Sequence, residues 1–182
     1  ILTLNFGNAQ QTDYIAGIGI PMPNTDISIR DDDGNTVAQG ESGELCAKGP
    51  QVMSGYWNNA EATEQCMTPD GYFKTGDVAM LDNQGFFHIV DRKKDMIIVS
   101  GFNVYPNEIE AVMANMPGVL ESACIGIPDK KTGEAPKLFV VKTDPSVTES
   151  DVISFCRESL TGYKIPRQVA FIDELPKSAV GK

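Results

Sequence analysis

The sequence predicts an α+β chain in two parts, a small β-barrel-like unit followed by a compact α/β unit. Three observations carry that reading. Gly, Pro, Asn and Asp interrupt the first half every few residues and leave only short alternating runs between them. After residue 92, apolar strand runs interleave with two stretches of helical period. The charge changes at the same place. Residues 1–91 hold three basic and thirteen acidic side chains, whereas residues 92–182 hold twelve of each, so the net charge of −10 lies wholly in the first half.

The elements follow in order. "TDISIR" alternates with period two, "DDDGN" is a turn before the short run "TVA", and "GELCAKG" is the next strand. "NNAEATEQC" reads as one short helix capped by Asn58 or Asn59. "GYFKTGDVAMLDNQGFFHIVDRKKDM" reads as strand, turn and strand, with the turn at Asp82-Asn83-Gln84-Gly85. "DMIIVSG" is a buried strand ending in Ser100-Gly101. "YPNEIEAVMANMPGV" starts a helix at Pro106, with acids in its first turns and an apolar stripe at Ile109, Val112, Met113 and Met116. "VLESACIGIP" and "KLFVVKT" are strands. "TESDVISFCRESL" opens with Thr148 and Asp151 at capping-box spacing and carries Val152, Phe155, Cys156 and Leu160 on one face. "QVAFI" is the last strand. The division between units falls at residues 92–94, inside the basic run.

Composition excludes several classes. No apolar run approaches the roughly 20 residues that span a bilayer, and the acidity argues against nucleic acid. The cysteines Cys46, Cys66, Cys124 and Cys156 are far apart and read as small buried hydrophobes in a reducing compartment. A single histidine, His88, sits in a strand pattern and reads as structural, so a transition-metal site is not expected. A calcium loop starting at Asp31 needs Gly at 36 and Glu at 42, where Thr36 and Ser42 stand, so the acidic run is a solvated turn. The missing initial Met and the terminal Gly-Lys make a fragment of something longer the expectation.

The hairpin raises the functional question, since it holds Asp77 near one end and Arg92-Lys93-Lys94 near the other. If Asp82 pairs with Gly85, Asp77 lies opposite Val90 and diagonal to Arg92. A surface Asp–Arg pair alone is worth roughly 0–1 kcal/mol. A carboxylate also suits a vicinal diol, however, and a guanidinium fork suits oxygens beside a phosphate. Gly76 leaves room for a ligand to approach the backbone. The tail concentrates Lys164, Arg167, Lys177 and Lys182 against only Asp173 and Glu174. A lysine at the tip of such a tail suits a mobile electrostatic catalyst, but from spacing alone Lys182 reads as an ordinary solvated lysine.

"TGD", "DRKKDMIIVSGFNVYPNEIE" and "YKIPRQVAFIDELPKSAVGK", in this order, resemble the C-terminal third of adenylate-forming (acyl-CoA synthetase/luciferase-like) enzymes, and among these the bacterial long-chain fatty-acyl-CoA synthetases. The similarity extends over "GELCAKGPQVMSGYW". Phe73-Lys74 departs from the apolar residue and His common in that subgroup, a difference that bears on the acyl substrate. The resemblance implies that residues 1–91 close the large adenylating domain, 92–94 form a hinge centred on Lys94, and 95–182 form a small mobile domain. It implies nucleotide binding by Asp77 and Arg92, catalysis by Lys182, and a pantetheine tunnel lined by Ser100, Gly101 and Phe102, with Lys164 and Arg167 as candidate contacts for CoA phosphates.

The implied reaction joins a fatty acid to CoA through an acyl-adenylate, with ATP, CoA and Mg2+ as cofactors and the Mg ligands upstream of this sequence. The fragment alone is expected to be inactive. A cytoplasmic location is implied, and fatty acid substrates are compatible with peripheral contact of the full-length enzyme on the inner face of the cytoplasmic membrane. Other acyl- or aryl-CoA ligases, amino-acid adenylating domains and a non-catalytic nucleotide-binding module stand as alternatives.

Overall fold

A computed structural model describes residues 2–5 and 17–177. The chain divides into two compact units, Ile1–Lys94 and Asp95–Lys182, and a 3-10 turn at Lys93–Asp95 spans the division.

The first unit begins with two short strands, β1 (Thr3–Leu4) and β2 (Ile20–Pro21), which pair antiparallel. Then come β3 (Asp26–Arg30), β4 (Ser42–Lys48), α1 (Ala60–Cys66), β5 (Phe73–Leu81) and β6 (Phe87–Arg92). Strands β3 to β6 form an antiparallel sheet in chain order. Among the described residues this sheet stays open, so the expected barrel-like closure is not made. Gly19 bridges Phe87, which sets the β1–β2 ribbon beside β6. The core is small: Ile29, Leu45, Ala79 and Phe87 are buried, with Leu2, Ile18, Ile27, Val37 and Leu81 packed on them. "TVA" makes no strand beyond an isolated bridge from Thr36 to Arg30. Helix α1 starts where Asn59 accepts a hydrogen bond from the Ala62 amide at 3.0 Å, leaving Asn59 as the cap.

The second unit contains β7 (Ile97–Val99), β8 (Phe102–Val104), α2 (Pro106–Met113), β9 (Val119–Asp129), β10 (Gly133–Lys142), α3 (Glu149–Ser159) and β11 (Gln168–Phe171). Strand β10 pairs antiparallel with β9 along its length and parallel with β11 from Lys137 to Val140. Strand β7 meets it at Gly133 and carries β8 as an antiparallel neighbour. The two helical stripes bury where the sequence places them: Ile109, Met113, Val152 and Cys156 are inaccessible and pack with Ile97, Val104, Leu138 and Val140. All four cysteines are free thiols, and burial pushes the Cys156 thiol up to about 11. No helix among the described residues is long and apolar enough to cross a membrane.

Helix α3 opens with the expected capping box. Thr148 Oγ1 donates to Asp151 Oδ2 at 2.6 Å, and the Thr148 amide donates to the same oxygen at 2.9 Å. These hydrogen bonds hold the Asp151 carboxyl below the usual carboxylate range. A carboxyl depressed on folding stabilises the fold above its unfolded pKa, and that contribution disappears as the pH falls through the folded value. Asp151→Asn is therefore expected to lower stability at pH 7. Urea titrations should show the gap to the parent closing once the pH falls below about 4, the unperturbed aspartate range. A gap of equal size at pH 7 and pH 3 would contradict this.

Candidate functional site

The Thr75-Gly76-Asp77 segment is a bulge in the sheet. Glu44 on β4 pairs with Val78 and Cys46 pairs with Lys74, so residues 75–77 together face Leu45 alone. Each residue has a reason to be there. Thr75 Oγ1 donates to the Leu45 carbonyl at 2.8 Å and accepts from the Asp77 amide at 3.1 Å, which closes the bulge on itself. Gly76 has φ +74°, a conformation costly for residues with a Cβ. Added bulk at Gly76 would meet nothing in the protein, so it is the backbone angle that demands glycine. Bulges re-aim side chains, and this one presents Asp77.

The hairpin register differs from the expected one in two places. Asp82 pairs with Phe86 and not Gly85: the Asp82 amide donates to the Phe86 carbonyl at 3.0 Å, and Gly85 takes φ +86° within a three-residue loop. A second bulge then adds Val90 on β6, because Val78 faces Asp91 whereas Ala79 faces Ile89. Each change shifts the pairing by one residue. Their sum brings Arg92 directly opposite Asp77 instead of diagonal to it. Arg92 Nη1 contacts Asp77 Oδ1 at 2.5 Å, the guanidinium side chain 57% exposed and the carboxylate 26%. Among the described residues this is a single contact and not a bidentate fork.

An ion pair so exposed contributes roughly 0–1 kcal/mol to stability. It does leave a half-buried carboxylate and an exposed guanidinium side by side, supported by two bulges. That arrangement can accept from a diol and donate to an adjacent anion.

The two lysines after Arg92 separate in role. Lys93 Nζ contacts Asp32 Oδ1 at 2.8 Å and Glu44 Oε2 at 2.9 Å. Burial pulls its pKa down, but the hydrogen bonds it donates to Asp32 and Glu44, with the attraction of their charges, outweigh burial and leave it raised. Lys94, by contrast, is exposed and ends the first unit. The acidic turn is thus more than a solvated run, since Asp32 reaches the basic segment and Asp31 caps the Asn35 amide at 2.8 Å. His88 pairs with Asp82 at 2.7 Å and braces the turn; that hydrogen bond, with those from the Phe86 and Gln84 amides, holds Asp82 below the usual carboxylate range.

In the second unit, Ser100 and Gly101 form the two-residue turn between β7 and β8, with φ +52° and +85°. This is the left-handed geometry of a tight hairpin, strained for serine. The Ser100 amide donates to the Thr132 carbonyl at 2.8 Å, which fixes the turn to the β9–β10 loop. Phe102 is 56% exposed and stacks on Tyr163, ring centroids 4.8 Å apart. Next to that stack, Lys164 contacts both oxygens of Glu108 at 2.7 Å, so its charge is already partnered. Arg167 is exposed and donates its amide to the Pro136 carbonyl. Lys182 lies outside the described residues.

Sequence reasoning missed Glu44, the Asp32–Lys93 link, and the partners Tyr163 and Glu108. The available signal for Glu44 was an acid inside the strand run "GELCAKG", between Gly43 and Leu45.

Comparison with known proteins adds a second line. The family described as AMP-binding enzyme matches residues 1–57, and that described as AMP-binding enzyme C-terminal domain matches residues 108–182. The chain is similar to a long-chain-fatty-acid–CoA ligase of Salmonella typhimurium, 58% identical over 96% of this chain and 31% of that protein. It is similar to a feruloyl-CoA synthase of Amycolatopsis, 43% identical over 96% of this chain and 35% of that protein. It matches the ATP-bound crystal structure of MatB from Rhodopseudomonas palustris with a TM-score of 0.90 and 36% identity, over 99% of this chain and 36% of that one. The chain therefore spans about a third of the length of the relatives it matches.

Proposed function

The chain belongs to the adenylate-forming, AMP-binding enzymes, and from that premise we propose that it is the C-terminal part of an ATP-dependent, AMP-forming acyl-CoA ligase for long-chain fatty acids. In the first step a fatty acid carboxylate oxygen attacks the α-phosphorus of ATP, and the bond to the β-phosphate breaks to release pyrophosphate. In the second, the CoA thiol gives up its proton and attacks the acyl carbon, and AMP leaves.

The observation that carries the proposal is the facing Asp77–Arg92 pair. Asp77 accepts from the two ribose hydroxyls, and Arg92 donates to the sugar edge near the α-phosphate. Both steps need the nucleotide held, the first as ATP and the second as acyl-adenylate, so a grip on the ribose serves both. Lys94 is proposed as the residue about which the second unit turns between steps. Ser100, Gly101 and Phe102 would line the pantetheine path, their turn pinned to Thr132. Arg167 remains a candidate for CoA phosphate; Lys164 would first have to release Glu108.

Mg2+ would neutralise the ATP phosphates. Among the described residues no group of three or more His, Cys, Asp or Glu side chains could hold a metal, so its ligands are expected outside them.

The feruloyl-CoA synthase relative supports a second reading, an aryl acid in place of the fatty acid. Pyrophosphate exchange by the full-length enzyme, profiled with saturated fatty acids and hydroxycinnamates, separates the two. Exchange driven best by long-chain acids supports the first reading, and exchange driven best by aryl acids the second. No exchange with any acid would favour a non-catalytic module and overturn both.

A further inference from the structure

We propose that Glu44 is a positioning residue for the Asp77–Arg92 pair, clamping the Gly76 amide with one carboxylate oxygen and the Lys93 ammonium with the other. The inference rests on the nucleotide reading for its purpose but on geometry for its content. Glu44 Oε1 accepts from the Gly76 amide at 3.3 Å, and Oε2 accepts from Lys93 Nζ at 2.9 Å. Gly76 immediately precedes Asp77 and Lys93 immediately follows Arg92. One carboxylate thus holds the flank of each member of the pair.

The sheet explains why such a clamp is needed. A bulge leaves ladder groups without their usual partners and lets the strand bend. Here bulges occur on both sides of the pair, residues 75–77 against Leu45 and Val90 on β6. Regular cross-strand bonds therefore do not fix the spacing of Asp77 and Arg92 by themselves. The Gly76 amide is one of the displaced donors, and Glu44 satisfies it.

The Glu44 side chain is only 11% exposed, and so buried a carboxylate needs compensation. Lys93 supplies it, and the 82% exposed Asp32 meets the same ammonium from the turn after β3. An ordinary structural ion pair would fasten β4 to the basic run. This one fastens the two backbone segments that aim the ligand-facing groups, and it leaves Lys94 as the first residue beyond the clamp.

The test uses the full-length enzyme without ligand. Nitrogen relaxation of the Arg92 Nε–H group and hydrogen exchange of the Gly76 amide are compared in the parent, Glu44→Ala, Lys93→Met and Lys93→Arg. Glu44→Ala is expected to speed Gly76 exchange about tenfold, the loss of one hydrogen bond's protection. It should also make the Arg92 guanidinium more mobile than in the parent. Lys93→Met should release Arg92 likewise, and Lys93→Arg should restore it, a rescue that a generic loss of stability does not give.

If Glu44→Ala does not fold, Glu44→Gln replaces it, removing the charge while keeping an oxygen for Gly76. Arg92 order unchanged in the folded Glu44 variant, or Lys93→Arg behaving like Lys93→Met, overturns the proposal. A titration with AMP is read at the same Arg92 signal. An unresponsive parent enzyme counts against the nucleotide reading, whereas the clamp is decided by the ligand-free comparison.

Discussion

Lys182→Ala in the full-length enzyme is expected to reduce pyrophosphate exchange by about 100- to 1000-fold, the range for removing one preorganised charge from a transition state. Thioesterification of a preformed acyl-adenylate should continue at nearly the parent rate. The reason lies in where charge develops. During adenylation the attacking carboxylate and the crowded α-phosphate build up negative charge together, and a lysine ammonium is a compact cation on a flexible stem that can reach both. During thioesterification the phosphate is a leaving group on the far side of an acyl carbon, and the resemblance assigns that step to residues near Ser100, Gly101 and Phe102. Rapid-quench measurement of the two half-reactions separates the outcomes. Equal loss in both removes Lys182 from the assigned role.

Leu138→Ala is expected to destabilise the second unit by about 2–5 kcal/mol, the range for truncating a fully buried leucine. Leu138 is inaccessible, pairs with Cys124 on β9 and with Val169 on β11, and lies in the same core as Ile109, Met113 and Val152. It belongs to the core cluster that includes residues of the sheet and of both helices, so its truncation leaves a cavity there. Leu120, at 62% exposed, is the matched control, and its truncation should change stability by less than about 0.5 kcal/mol. Urea denaturation followed by residue-specific NMR should show the loss in the second unit's signals. A shift as small as that of the control would mean that the core repacks around the missing side chain.

Much of the second unit is legible in its sequence because local chemistry and hydrophobic period agree there. Thr148 and Asp151 form the capping box their spacing announces, Pro106 opens α2, and the stripes at Ile109, Met113, Val152 and Cys156 are the faces that bury. The first unit is harder to read because its information is carried by irregularities. Nothing in "DNQG" separates a two-residue turn from the three-residue loop that Gly85 closes, and a bulge at Val90 has no sequence signature of its own. Each irregularity displaces the register by one residue. Asp77 and Arg92 therefore meet at the expected end of the hairpin, but directly opposite each other and not on the diagonal.

β8 was invisible for another reason. It is three residues long and pairs only through a tight turn that puts Ser100 in a conformation serine rarely adopts. Glu44 was hidden because an acid in an edge-like run looks solvated until the fold folds Lys93 back over it. Residues whose roles depend on distant partners, such as Asp32 with Lys93 and Glu108 with Lys164, leave no periodic trace.

The most direct measurement compares kcat/KM for ATP with that for 2′,3′-dideoxy-ATP in the full-length enzyme, in the parent and in Asp77→Ala. With the carboxylate accepting from the sugar hydroxyls, the parent should prefer ATP by about 10- to 100-fold, as expected for hydrogen bonds to a charged group. In Asp77→Ala that preference should fall close to one, because the analogue has nothing left to lose. An Asp77→Ala enzyme that still discriminates as strongly as the parent would show that the ribose is held elsewhere and that the hairpin pair only braces the sheet.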